Sequence, residues 1–151
     1  MSRFLVCGLD DESYSNADYT ICNTIEDAVD AAAENVKSYL GLDHDPELFL
    51  EYDHDKIRCS CKLEGSFYVN VILEIGLEDC HLGILHKAYD GVDFSLMSAG
   101  TEAECFRKKI RKECRNYARI SYQEYENQAI ADDGVSYWVW DVIDTNLIKR
   151  K

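Results

Sequence analysis

Residues 56–75, KIRCSCKLEGSFYVNVILEI, hold two runs of strict alternation separated by a gap too short for anything except a turn. In the first run Ile57, Cys59, Cys61 and Leu63 fall on one side of an extended chain, and Lys56, Arg58, Ser60 and Lys62 on the other. In the second, Phe67, Val69, Val71, Leu73 and Ile75 share a side. A period of two does not suit a helix, so the middle of the chain reads as an antiparallel hairpin. Its register is testable, because a slip of one residue inverts a strand's faces. A three-residue loop, Glu64-Gly65-Ser66, pairs Leu63 with Phe67, Cys61 with Val69 and Ile57 with Leu73, and sets Lys56 against Glu74. A two-residue turn at Glu64-Gly65 opposes Cys59 to Asn70 and mixes the faces. The three-residue loop is therefore expected.

The same reasoning extends outward. A four-residue turn at 53–56 pairs Tyr52 with Ile57 and Leu50 with Cys59, and HLGILHKAYDGVDFSLMS (81–98) reads as a hairpin turning at Asp90-Gly91. RFLVCGL (3–9) and DYTIC (18–22) read as strands. GVSYWVWDVI (134–143), with aromatic residues on both faces, reads as a central one. Thr24 is the N-cap of a helix with Glu26 and Asp27 in its first turn, ended by Gly41. Thr101 and Glu104 form a capping box for a second helix running from about Glu102 to about Glu126. The expectation is an α+β fold: an antiparallel sheet of about five to seven strands with two amphipathic helices packed on one face, in two layers. Residues 1–151 read as a single domain with 144–151 as a flexible basic tail.

Charge decides which partners the chain suits. The formal net charge is −13, and it is unevenly spread. Residues 1–106 hold 22 acids and 6 bases, whereas 107–119 hold 7 bases and 1 acid. Most of such a surface repels duplex nucleic acid and attracts a basic protein. The apolar run Phe4 to Cys7 is too short for a leader, and nothing approaches the roughly 18 apolar residues of a membrane span. Seven cysteines at irregular spacing fit reduced thiols, so a cytoplasmic location is expected, with no membrane partner.

Two Asp-His-Asp triplets, 43–45 and 53–55, raise the question of a metal. Ten extended residues separate His44 from His54, about 33 Å, whereas zinc ligands all lie within about 2 Å of one ion. The triplets are not one site. In a meander, however, the turns at 53–56 and 76–79 fall at the same end of a sheet. That gathers His54, Asp79 and His81 as candidate cation ligands, with two solvated acidic turns as the plainer reading. Cys59 and Cys61 point to the apolar face and read as core. Cys105 is the one candidate nucleophile, beside Lys108 and Lys109, and no histidine can be placed next to it. No phosphate loop, nucleophile elbow or cofactor motif occurs, and no cofactor is expected.

At 100° per residue, Lys108, Lys112, Arg115 and Arg119 form a straight row about 16 Å long, with Arg111 on its flank. It suits a phosphorylated ligand, an acidic partner, or the acids of another copy in a homo-oligomer. The leading expectation is a non-enzymatic inhibitor docking on a basic, nucleic-acid-handling partner through Asp27, Asp30, Glu34, Asp43, Asp45, Asp53 and Asp55. In size and charge alone the chain is similar to toxin-immunity and phage anti-defence proteins.

Overall fold

The computed structural model describes residues 2–10, 17–61, 68–89, 91–101 and 104–151. Its elements are β1 (Ser2–Asp10), β2 (Asp18–Cys22), α1 (Ile25–Leu40), β3 (Leu48–Asp53), β4 (Lys56–Cys61) and β5 (Tyr68–Gly76). Then follow β6 (His81–Ala88), β7 (Asp93–Gly100), α2 (Glu104–Arg115), β8 (Ser121–Glu124), β9 (Gln128–Asp132), β10 (Tyr137–Asp144) and β11 (Lys149–Arg150). The α+β class holds, but the strands divide between two sheets. The first has the order β11-β2-β1-β5-β4-β3 and the second β7-β6-β10-β9-β8. All neighbours are antiparallel except β11, which runs parallel to β2.

Instead of sharing one face of one sheet, the helices cover opposite outer faces. Leu5, Cys7, Leu9, Val71, Leu73 and Ile75 of the first sheet meet Leu82, Ile84, Phe94 and Ile143 of the second. On the far side of the first sheet, Val6, Ile57, Cys59 and Ile72 pack under Ala28, Ala31 and Ala32 of α1. On the far side of the second, Ala129, Ala131 and Trp140 pack under Ile110 and Cys114 of α2. The layers therefore run helix, sheet, sheet, helix, and apolar residues on both faces of β1, β5 and β10 are what the arrangement requires.

Two-sided burial also overturns the expected register of β4 and β5. Ile57 lies opposite Ile72 and Cys59 opposite Asn70, the pairing of the rejected two-residue turn. The expectation treated Val69, Val71, Leu73 and Ile75 as partners of Ile57 and Cys59 because one buried face was assumed. In the molecule those β5 residues face the second sheet, while Ile72 and Asn70 face α1 with Ile57 and Cys59. Asn70 is satisfied there, its Oδ1 accepting from Asn35 Nδ2 at 3.0 Å and its Nδ2 donating to the Ala32 carbonyl. The 64–66 loop itself lies outside the described residues, as do Asp90 and Glu102. The β3–β4 hairpin has the expected pairs, Tyr52 with Ile57 and Leu50 with Cys59.

α1 is capped as its sequence dictates: Thr24 Oγ1 accepts from the Asp27 amide at 3.1 Å, and Gly41 sits at φ 65°. α2 is shorter than expected. It stops at Arg115, tight turns over 116–118 follow, and the amides of Arg119 and Ile120 donate to the Asp132 carbonyl. Residues 121–132 form a β8–β9 hairpin that completes the second sheet. The helical pattern had swallowed the short alternation of Tyr122 between Ser121 and Gln123. Segment 144–151 is likewise not a loose tail, because β11 pairs with β2 and the Lys151 amide donates to the Ile21 carbonyl.

Gly8 marks the tightest approach in the first sheet. A Cβ there would stand 2.2 Å from Tyr68 Oη and 2.9 Å from Asn70 Oδ1, because the tyrosine crosses β1 to donate to Asp18 Oδ2 at 2.8 Å. Gly8→Ala should accordingly lower the unfolding free energy by about 1–3 kcal/mol through overpacking, read as a shifted urea midpoint.

Candidate functional site

The acidic face is built on the outer side of the first sheet. Asp27, Asp30 and Glu34 recur along α1 at helical spacing, and all three raise the pKa of Lys151, whose Nζ donates to Glu34 Oε1 at 2.7 Å. That hydrogen bond is the main cause of the rise, burial opposes it slightly, and the Glu34, Asp30 and Asp27 charges add to it. Asp45 joins them. With Asp30, Glu34 and Lys151 it lines a groove of about 460 Å³ whose apolar walls are Val29, Ala33, Pro46, Leu48 and Leu50. Lys37 reaches Asp45 at 3.4 Å, an exposed contact of little energetic weight. Asp43 lies against His44, 3.0 Å from its Nδ1. Asp53 and Asp55 stand apart from this group, around a smaller cleft with Glu74 and Ile25. Six of the seven expected acids thus fall in two groups, Asp27, Asp30, Glu34 and Asp45 in one and Asp53 and Asp55 in the other, with Asp43 beside His44.

Three cations of the first sheet, Arg3, Lys56 and Arg58, are turned inward. Arg3 donates to the Gly76 and Asp79 carbonyls at 3.1 and 3.0 Å. Lys56 and Arg58, on the β4 face opposite Ile57, reach across to β7. Arg58 donates to Asp93 Oδ1 at 2.9 Å and to the Val92 carbonyl, and Lys56 to Asp93 and the Phe94 carbonyl. Around them Glu26, Asp30, Glu34, Asp43, Asp45, Glu47, Glu51, Asp53, Asp55, Glu74 and Glu78 remain exposed.

Four of the basic residues, Lys108, Arg111, Lys112 and Arg115, line one cleft of about 380 Å³ with Tyr122 and Glu124, and Arg119 leaves the row. Arg119 lies beyond the end of α2 and donates to the Asn116 and Ala118 carbonyls. Arg111 donates to the Tyr125 and Glu126 carbonyls and stands 3.6 Å from Glu124, which also sits 3.8 Å from Arg115. The Arg115 guanidinium lies 4.8 Å over the Tyr122 ring. Lys108 and Lys112 keep their exposure. β8, which the sequence reading missed, is what supplies Glu124 and Tyr122.

The cation candidates are not brought together. His54 lines the small cleft with Asp53 and Asp55, whereas His81 faces Asp144 at 3.7 Å in a different one, and the Asp79 carboxylate accepts from the Gly76 amide at 3.0 Å. Among the described residues no three His, Cys, Asp or Glu side chains converge in a way that would hold a metal ion. Burial pushes the thiols of Cys59 and Cys114 up to about 11 and about 12, so both are core groups and not nucleophiles. The side chain of Cys105 lies outside the described residues.

Sequence reasoning missed a polar cluster between the sheets. Asp141 of β10 accepts from Tyr19 Oη of β2 at 2.5 Å and from Gln128 Nε2 of β9 at 2.8 Å, and its Oδ2 lies 3.3 Å from Nδ1 of the fully buried His86 of β6. Burial alone would raise the Asp141 pKa, but His86, Tyr19 and Gln128 hold it below the usual carboxylate range. Burial, and then the Asp141 charge, push Tyr19 upward. The cluster opens on a cleft of about 590 Å³ bordered by His81, Arg107, Asn127 and Asp144. A signal was present: His86 interrupts the apolar series Leu82, Ile84, Ala88, and Asp141 the series Val139, Ile143. Polar side chains at core positions of two neighbouring strands need partners, and each can serve as the other's. Both Asp141 oxygens are satisfied and His86 is fully buried, so the cluster joins the sheets, with Tyr19, Gln128 and Asp141 lining the cleft.

No protein-family model matches the chain, and no curated protein or solved structure matches it either. Among the described residues no helix is long and apolar enough to cross a membrane.

Because the fold depresses the Asp141 pKa, its contribution to stability is fully present above the unfolded value near 4 and is lost as pH falls through the folded value. Asp141→Asn should cost about 3 kcal/mol at pH 7, and the gap to the unmodified protein should narrow below about pH 4. Urea unfolding at both pH values measures this.

Proposed function

We propose that the protein is a non-enzymatic binding protein that docks through its acidic half on a basic, nucleic-acid-handling partner and inhibits it. The observation that carries this reading is the unequal fate of the two charges on the first sheet. Arg3, Lys56 and Arg58 are tied to backbone carbonyls and to Asp93, leaving Lys149 and Arg150 of the edge strand β11 as its exposed cations among the described residues, while the carboxylates around α1, β3 and the β3–β4 turn face solvent. Exposed carboxylates raise the encounter rate with a basic surface and satisfy Lys and Arg groups that otherwise bind phosphate. The net charge of −13 sets the same preference at long range.

The reading of a phosphorylated-ligand site on α2 draws less support, because Arg111 and Arg115 already answer Glu124 and the β8–β9 turn. Lys108, Lys112 and the exposed Arg115 share a cleft of about 380 Å³ with Arg111, but Glu124 lines it too and offsets part of their charge.

The test uses the immobilised protein, a basic partner recovered on it, and a triple variant Asp30→Lys, Glu34→Lys, Asp45→Lys. The partner should be released by raised salt and by duplex DNA, which competes for the same basic surface. The variant should keep its circular dichroism and slow association by about tenfold or more in surface plasmon resonance. Binding indifferent to salt, to DNA and to the three reversals would overturn the proposal.

A further inference from the structure

β3 ends the first sheet among the described residues, and carboxylates are the device it carries against edge pairing. The other edges are closed differently. β7 is broken by a register shift at its partner positions Gly83 and Ile84, β8 is only four residues long, and β11 only two. β3 runs six residues, LFLEYD, without a bulge, a proline or a lysine. Of its side chains, Tyr52 is 73% exposed.

The hairpin geometry says which backbone groups face outward. The loop between β3 and β4 is His54-Asp55, so Asp53 and Lys56 flank it as the first hydrogen-bonded pair. Alternation along an antiparallel ladder then directs Glu51 and Phe49 inward and leaves the amides and carbonyls of Tyr52, Leu50 and Leu48 pointing away from β4. Leu48 and Leu50 also wall the groove that holds Asp30, Glu34 and Asp45. A strand added beyond β3 would therefore run beside this groove.

We infer that β3 receives an extended, basic segment of the partner as a seventh strand of the first sheet. The inference rests on the acidic-face reading above and names the partner's binding element. The occupant follows from charge. Glu47, Glu51, Asp53 and Asp55 are exposed along and beside the strand, and Lys151 already shows, at Glu34, how an ammonium seats in the adjoining groove. A second copy of this chain would bring the same four carboxylates against their like, so the edge is defended against itself and open to lysine and arginine. Main-chain hydrogen bonds supply the affinity, and alternate side chains of the incoming strand set the choice: basic stems lie over Leu48 and Leu50 with their charges at Asp45 and Glu34.

The probe is a seven-residue peptide alternating lysine with valine or tyrosine, compared with the same peptide N-methylated at alternate positions to remove its donors. The full chain should bind the first and hold the second about tenfold more weakly, as loss of one or two hydrogen bonds requires. Tyr52→Pro removes one outward amide and crowds the edge, while Tyr52→Ala removes the same ring and keeps the amide. The proline variant should lose the discrimination between the peptides and the alanine variant should retain it. Should the proline variant fail to fold, the two peptides on the native chain decide alone. Equal affinity for both peptides, or no binding of the first at low salt, overturns the edge site and leaves the acidic-face reading standing. Concentration-dependent dimers abolished by Tyr52→Pro would assign the edge to a second copy and also overturn it. Failure of the partner to respond to charge reversal at Asp30, Glu34 and Asp45 sinks the broader reading instead.

Discussion

Everything in this molecule follows from the packing of one sheet on another. Leu5, Cys7, Val71 and Leu73 need Leu82, Ile84, Phe94 and Ile143 opposite them, and that contact hides the inner face of both sheets. Each outer face then needs its own cover, which α1 and α2 supply. With four layers in place, charge has nowhere to go except the rims and the helix exteriors. His86 and Asp141, which lie between the sheets, are forced on one another across neighbouring strands, and Tyr19 brings the first sheet into the same contact.

Local signals in the sequence were strong where local chemistry settles the outcome. Thr24 and Gly41 bound α1 because capping and a left-handed φ are properties of a few residues. The β3–β4 pairing was legible because its turn is short. The register of β5 was not, because Val71 and Ile72 are both buried, and a strand covered on both faces carries no parity signal to say which neighbour its residues share. The same blindness merged two sheets into one.

The end of α2 was lost for a different reason. Lys112, Arg115 and Arg119 lie at helical spacing, yet the Arg119 and Ile120 amides are claimed by Asp132, and Tyr122 packs on the cluster under Trp140. Tertiary pairing overrode a helical propensity that was real but weak. Of the expected acidic positions, Asp30, Glu34 and Asp45 do gather in one groove, while Asp53 and Asp55 face another cleft. Sequence distance showed that these residues were exposed, but only the fold could show which of them are neighbours.

The place of β1 has a kinetic consequence. It lies at the middle of the first sheet, flanked by β2 on one side and on the other by β5, whose pairing reaches from Ser2 to Gly76. A chain emerging from the ribosome can close β1 with β2 early, but its second ladder is complete only when about fifty further residues, through Gly76, have been made. During that interval Leu5, Val6 and Cys7 have no lasting shelter, and the entropy of closing so long a loop slows the step that would give them one. Folding of this sheet is thus paced by β1, and aggregation during synthesis is most to be expected there.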